Sequence, residues 1–116
     1  MIGLSPHLRI WAYPGPCDMR KGHNGLIGLV ERHFCRDIMS GDLFLFVNKR
    51  RTLSKTLYWD GSGYVILYKR RLEGTFPKLW DRPGADPTGI ELSASELSLF
   101  LEGCKLLARE SLRPED

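Results

Sequence analysis

Residues 53–70 read LSKTLYWDGSGYVILYKR, two runs of β-formers around Asp60-Gly61-Ser62-Gly63. Asp-Gly between such runs marks a β-hairpin, because glycine tolerates the positive φ that tight hairpin turns require. Pairing Leu53 to Trp59 with Tyr64 to Arg70 puts Leu53, Leu57 and Trp59 on one face with Tyr64, Ile66 and Tyr68. Thr56, Tyr58, Val65, Leu67 and Lys69 take the other. Both faces are partly apolar, which sets the hairpin inside a larger sheet rather than at a bare edge.

Upstream, Leu43 to Val47 is fully apolar, as in a buried central strand, and Leu8 to Tyr13 reads as a short strand closed by Pro14-Gly15-Pro16. Between them Leu26, Ile27, Val30 and Phe34 recur at helical spacing and predict a helix to Phe34 or Cys35, capped by Asp18 or by Asn24. Gly22, Gly25 and Gly28 fall roughly along one ridge of it, and close packing on the sheet is their expected cause. Downstream come a loop from Asp81 to Thr88, a short strand at Ile90 to Leu92, and a capping box of Ser93 and Glu96. That box opens a second helix striped by Leu97, Phe100, Leu101, Cys104 and Leu107. The fold class expected is α+β: one domain over residues 1–108, with a mainly antiparallel sheet of about four or five strands, a central hairpin and two α-helices. A polar tail occupies 109–116.

A length of 116 residues allows one core, and 42% hydrophobic with 27% charged residues describes an ordinary globular chain. No apolar run is long enough for a spanning helix, so no membrane contact is expected. Met1 to Pro6 lacks the pattern of a secretory signal. Cys17, Cys35 and Cys104 are odd in number and lack CxxC spacing, which fits a reducing cytoplasm better than a disulfide framework.

The charge is concentrated. From Asn48 to Lys78 eight basic residues face two acids, Asp60 and Glu73, whereas the whole chain carries +3. The rest of the chain is therefore net acidic, and a concentrated basic surface attracts polyanions. The hairpin pairing brings Lys49-Arg50-Arg51 and Lys69-Arg70-Arg71 together at the end away from the turn, and Lys55 is counted with them among the expected DNA-binding residues. DNA is the partner expected there; a solvated basic edge that discourages aggregation is the alternative. Asp18-Met19-Arg20-Lys21-Gly22 reads either as an anion-binding helix start, with Arg20 and Lys21 on phosphate, or as a capped helix with both cations solvated. Tyr58, Tyr64 and Tyr68 are open between base stacking and packing, and Trp59 is expected in the core.

Metal and catalysis are not expected. His23, His33, Cys17 and Cys35 lack the paired spacing of zinc ligands, and Asp18, Asp42, Asp60 and Asp81 read as caps and turn formers. No GxSxG, P-loop or HExxH pattern occurs. No cofactor is predicted.

Several of these blocks resemble a known family. Asp18-Met19-Arg20-Lys21-Gly22, Leu43-Phe44-Leu45-Phe46, Leu57-Tyr58-Trp59-Asp60-Gly61-x-Gly63, Tyr68-Lys69-Arg70 and Leu72-Glu73 are similar, in order, to the Orf2-like (TnpB) accessory proteins of the insertion-sequence-sixty-six family. The likeness spans roughly Leu8 to Gly103. It departs at His23 and Asn24, where the family commonly has Phe and Asp, and in a shorter spacing between Glu73 and Gly74. The resemblance implies a bacterial mobile-element protein, encoded beside a separate transposase and without catalytic activity of its own. Two functions are then expected: DNA binding through the basic hairpin surface in support of transposition, or an adaptor role on the transposase without DNA contact.

Overall fold

The computed structural model describes residues 8–81 and 86–103. The polar tail, Cys104 and Leu107 of the helix stripe, Met1 to Pro6 and part of the Asp81–Thr88 loop lie outside the described residues. The strands are β1 (Ile10–Ala12), β2 (Leu43–Val47), β3 (Leu53–Trp59), β4 (Tyr64–Arg70) and β5 (Ile90–Leu92). They form one sheet in the order β4-β3-β2-β1-β5. Helix α1 (His23–Leu29) continues into a wider π-helical turn, Val30–Phe34, and α2 (Ala94–Leu101) follows β5.

Strand β2 is central because its sequence is apolar on both sides: all five residues are buried. It is parallel to β1 and antiparallel to β3, while β1–β5 and β3–β4 are also antiparallel. The sheet is thus mainly antiparallel, with one parallel pair. A parallel neighbour requires a crossover, and α1 supplies it over one face. There Trp11, Leu26, Val30, Phe34, Phe44, Phe46 and Leu57 form one core. On the opposite face Leu45, Val47, Tyr58, Phe76, Leu79 and Phe100 form the second, with Phe76 stacked on Phe100 at 4.9 Å.

The hairpin register runs from Trp59 opposite Tyr64 to Leu53 opposite Arg70, which gives the facial division expected from the sequence. The hairpin does not lie inside the sheet, however. Only β3 is interior; β4 is an edge strand, half-buried in its first part and exposed from Leu67 to Arg70. Apolar residues on both faces identify a strand but do not count its neighbours. Trp59 also departs from expectation: it is half-buried against Tyr64, and Tyr58 is the aromatic inside the core.

The capping box of α2 forms as expected, with Ser93 Oγ accepting from Glu96 N–H at 3.0 Å and Glu96 Oε1 accepting from Ser93 N–H at 2.8 Å. Helix α1 starts instead behind Gly22, without a side-chain cap, so neither Asp18 nor Asn24 performs that role. At its glycines the nearest neighbours are side chains of the helix and of the segment before it, and Gly28 is buried. A Cβ on Gly25 would meet the Lys21 side chain and one on Gly28 the Arg32 guanidinium, while Gly22 has open space.

Candidate nucleic-acid interface

Because β1 and β2 run parallel and β3 and β4 double back, three connections emerge at the same end of the sheet. They are the segment after β1, the turn between β2 and β3, and the segment after β4. Backbone bonds tie them: Cys17 N–H to Val47 O at 2.8 Å, Arg71 N–H to Thr52 O at 2.8 Å, and Phe76 N–H to Arg51 O at 2.6 Å. The expected convergence of the two basic triplets therefore occurs, on a framework of main-chain bonds.

Within the triplets the roles divide. Asn48 organises the turn: its Oδ1 accepts from Thr52 N–H at 2.8 Å and Leu53 N–H at 3.0 Å, and its Nδ2 donates to Thr52 Oγ1 at 3.2 Å. Lys49 and Arg50 are left at the exposed tip. Arg51 takes the left-handed conformation, φ 60°, and donates through Nη1 to Phe76 O. Lys69 donates to Leu101 O at the end of α2, and Arg71 donates to Glu73 O while its guanidinium lies over the Phe76 ring. Arg70 is exposed. A carbonyl satisfies a donor without cancelling its charge. Among the described residues the ion pairs are Arg9–Glu91, Arg20–Asp18 and Lys78–Asp81, so no carboxylate meets either triplet. Residues 69–73 also line a shallow, open depression.

The remaining predicted residues stand differently. Arg20 grips Asp18, Nη2 to Oδ2 at 2.7 Å, and with its own backbone N–H holds that carboxyl down at about 2. Lys55 donates its ammonium to Met19 O and Lys21 O at 2.9 and 2.8 Å, strapping the segment before α1 to β3. Lys21 is half-buried along Gly25. The structure thus brings Lys49, Arg50 and Arg70 to the surface as unpaired cations among the described residues, and employs Arg20, Arg51, Lys55, Lys69 and Arg71 in internal bonds. Tyr68, also exposed, lies beside the Lys55 ammonium. Sequence reasoning passed over Asn48, although an Asn just after a strand and before a cationic turn is a recognisable capping signal.

Other chemistry is sparse. Burial pushes the Cys17 thiol up, against a smaller opposite pull from Lys21 and Lys55, so it is a poor nucleophile. Among the described residues no group of three or more His, Cys, Asp and Glu side chains converges to hold a metal, and no helix is long and apolar enough to cross a membrane.

A family model described as IS66 Orf2 like protein matches residues 8–111. The chain belongs to this family. Two Sinorhizobium fredii (strain NBRC 101917 / NGR234) proteins are similar along the same length. Uncharacterized protein y4jC is 38% identical over 103 residues, covering 89% of this chain and 85% of that protein. Uncharacterized protein y4hO is 31% identical over 103 residues, covering 89% and 86%. No solved structure matches. Membership makes this IS66 Orf2-like protein an insertion-sequence accessory protein. Its Asp18–Gly22 block lies at the open end of the hairpin and its Trp59–Gly63 block forms the closed end.

Proposed function

We propose that the IS66 Orf2-like protein supports transposition by holding DNA non-covalently along the basic end of its sheet. The observation carrying this reading is the set Lys49 and Arg50, on the turn organised by Asn48, and Arg70, at the adjoining end of β4, all exposed and unmet by carboxylates among the described residues. Cations confined in this way release bound counterions from a phosphate backbone, and that release drives association. Arg51, Lys69 and Arg71 add field from behind without reaching out. Contacts of this kind position a duplex rather than read its bases.

The test is a salt titration of affinity for duplex DNA, single-stranded DNA and RNA probes. Affinity falls steeply with salt, and replacing Lys49, Arg50 and Arg70 together by alanine lowers the slope of log affinity on log salt by about 2 to 3. Absence of binding at low salt overturns the reading.

One observation favours a second reading, an adaptor docked on the separate transposase: Leu72 is 97% exposed beside the basic loops. With Tyr68, 58% exposed, it gives that side an aromatic and an aliphatic side chain open to a protein partner, and exposed aromatics are the usual anchors of such contacts. Co-purification with the transposase free of nucleic acid, unaffected by charge removal at Lys49, Arg50 and Arg70, supports the adaptor and counts against DNA.

A further inference from the structure

Two strands close the sheet, and as edges they differ. β5 is three residues long, and its one charged residue, Glu91, is engaged by Arg9. β4 is seven residues long, has no proline, pairs with β3 one-to-one without a bulge, and exposes Leu67 by 54% and Tyr68 by 58%. Among the described residues no strand pairs with its outer side. Proteins blunt such edges with short strands, charged side chains, prolines or bulges, because free N–H and C=O groups template further pairing. β5 is blunted by its length, whereas β4 carries charge only at its C-terminal end, on Lys69 and Arg70, and leaves Tyr64 to Tyr68 without such protection.

The hairpin identifies the free groups. Arg71 N–H donates to Thr52 O and Asp60 N–H to Gly63 O, so Val65, Leu67 and Lys69 turn their backbone groups toward β3. Tyr64, Ile66, Tyr68 and Arg70 turn theirs outward. We propose that β4 pairs with β4 of a second copy of this chain, antiparallel, about a two-fold axis at Leu67. In that register the outward residues meet one another: Tyr64 bonds the partner's Arg70, and Ile66 bonds the partner's Tyr68. Leu67 meets the partner's Leu67 on the axis, and Val65 meets the partner's Lys69.

The distribution of charge along β4 favours a second copy in this register. Each cation lies across from an aliphatic or aromatic side chain, and the two copies of Lys69 stand roughly 13 Å apart along the strands. Sliding the register toward the C-terminus brings Lys69 and Arg70 toward their own copies, and parallel pairing sets them side by side; both are unfavourable. Among the antiparallel registers that match the outward hydrogen-bonding groups, this one pairs all seven residues of the strand while setting each cation across from an uncharged side chain. This inference does not depend on the DNA reading.

Sedimentation of the full chain across the micromolar range tests it, and a concentration-dependent dimer is expected. Tyr68→Pro deletes an outward N–H that β3 does not use, and Leu67→Glu sets two carboxylates on the axis. Each raises the dimer dissociation constant roughly tenfold or more, with circular dichroism unchanged. Should either variant misfold, a cysteine on the axis decides. A facing pair of this kind has Cα atoms about 4.5 Å apart, within disulfide range. Mild oxidation of Leu67→Cys, made with Cys35→Ser and Cys104→Ser, therefore links the dimer covalently, and Val65→Cys in the same background does not. A monomer at every concentration, a dimer indifferent to both edge variants, or equal cross-linking at 65 and 67 overturns the proposal.

Discussion

The two ends of the β3–β4 hairpin solve one structural problem with different chemistry. At the closed end the Asp60 carboxylate accepts from Ser62 N–H and Gly63 N–H, both at 2.9 Å, and Gly61 supplies the positive φ. At the open end the Asn48 amide accepts from Thr52 N–H and Leu53 N–H, and the positive φ falls on Arg51. Both turns need an acceptor; only the closed end uses a charged one. A carboxylate serves where no basic cluster gathers, and a neutral amide serves where Lys49, Arg50 and Arg70 do. Placing a non-glycine residue in the left-handed region costs on the order of 1 kcal/mol, which the paired Arg51–Phe76 bonds offset. The open end is therefore tied to the core, whereas the closed end is self-contained.

That difference breaks most visibly at Phe76. The ring is fully buried and stacked on Phe100, while its backbone holds Arg51. Phe76→Ala removes the packing and loosens the base of the cationic turn, at a cost of about 3–5 kcal/mol. A denaturant melt measures it. A loss under about 1 kcal/mol would show that the open end is not anchored through this residue.

Asn48→Asp separates turn geometry from charge. It keeps the acceptor for two backbone N–H groups, gives up the bond to Thr52 Oγ1, and adds a negative charge among the cations. Stability should move by about 1 kcal/mol or less, while affinity for duplex DNA at low salt falls roughly tenfold. Asp60→Asn is the mirror image at the closed end and should leave DNA affinity unchanged. Equal effects from the two variants would dissolve the distinction between the ends.

Much of this was legible in the sequence because it is local. Asp60-Gly61 flanked by β-formers gave strand limits and register, Ser93 and Glu96 gave the start of α2, and the five apolar residues of β2 gave the sheet centre. Convergence of the triplets followed from register alone. What stayed hidden depends on distant neighbours. Apolar Val65 and Ile66 look alike in an edge strand and an inner one, so the position of β4 was misjudged. The parallel β1–β2 pair depends on which way a 30-residue crossover returns. Nothing local distinguishes Arg51, folded back on Phe76, from Arg50, left in solvent. Lys55 reads as surface charge until Met19 and Lys21 present their carbonyls to it.

The smallest expected effect concerns acid. Backbone N–H groups of Ser62 and Gly63 hold the Asp60 carboxyl below its ordinary 3.8 in the fold. A carboxyl depressed on folding contributes stability that is present above its unfolded pKa and is lost as pH falls through its folded one. Asp60→Asn retains the acceptor but not the charge, so it should be slightly less stable than the parent at neutral pH. That deficit should close on acidification, because only the parent has this contribution to lose. Asp18 and Asp86 are also depressed, but both are common to the two proteins, so the difference between paired thermal melts isolates Asp60. Asn48 has no counterpart to this behaviour: the open-end turn has no proton to bind, and Asn48→Asp should give it one. A deficit for Asp60→Asn that persists unchanged to about pH 3 would mean that the closed turn, like the open one, uses its acceptor without using its charge.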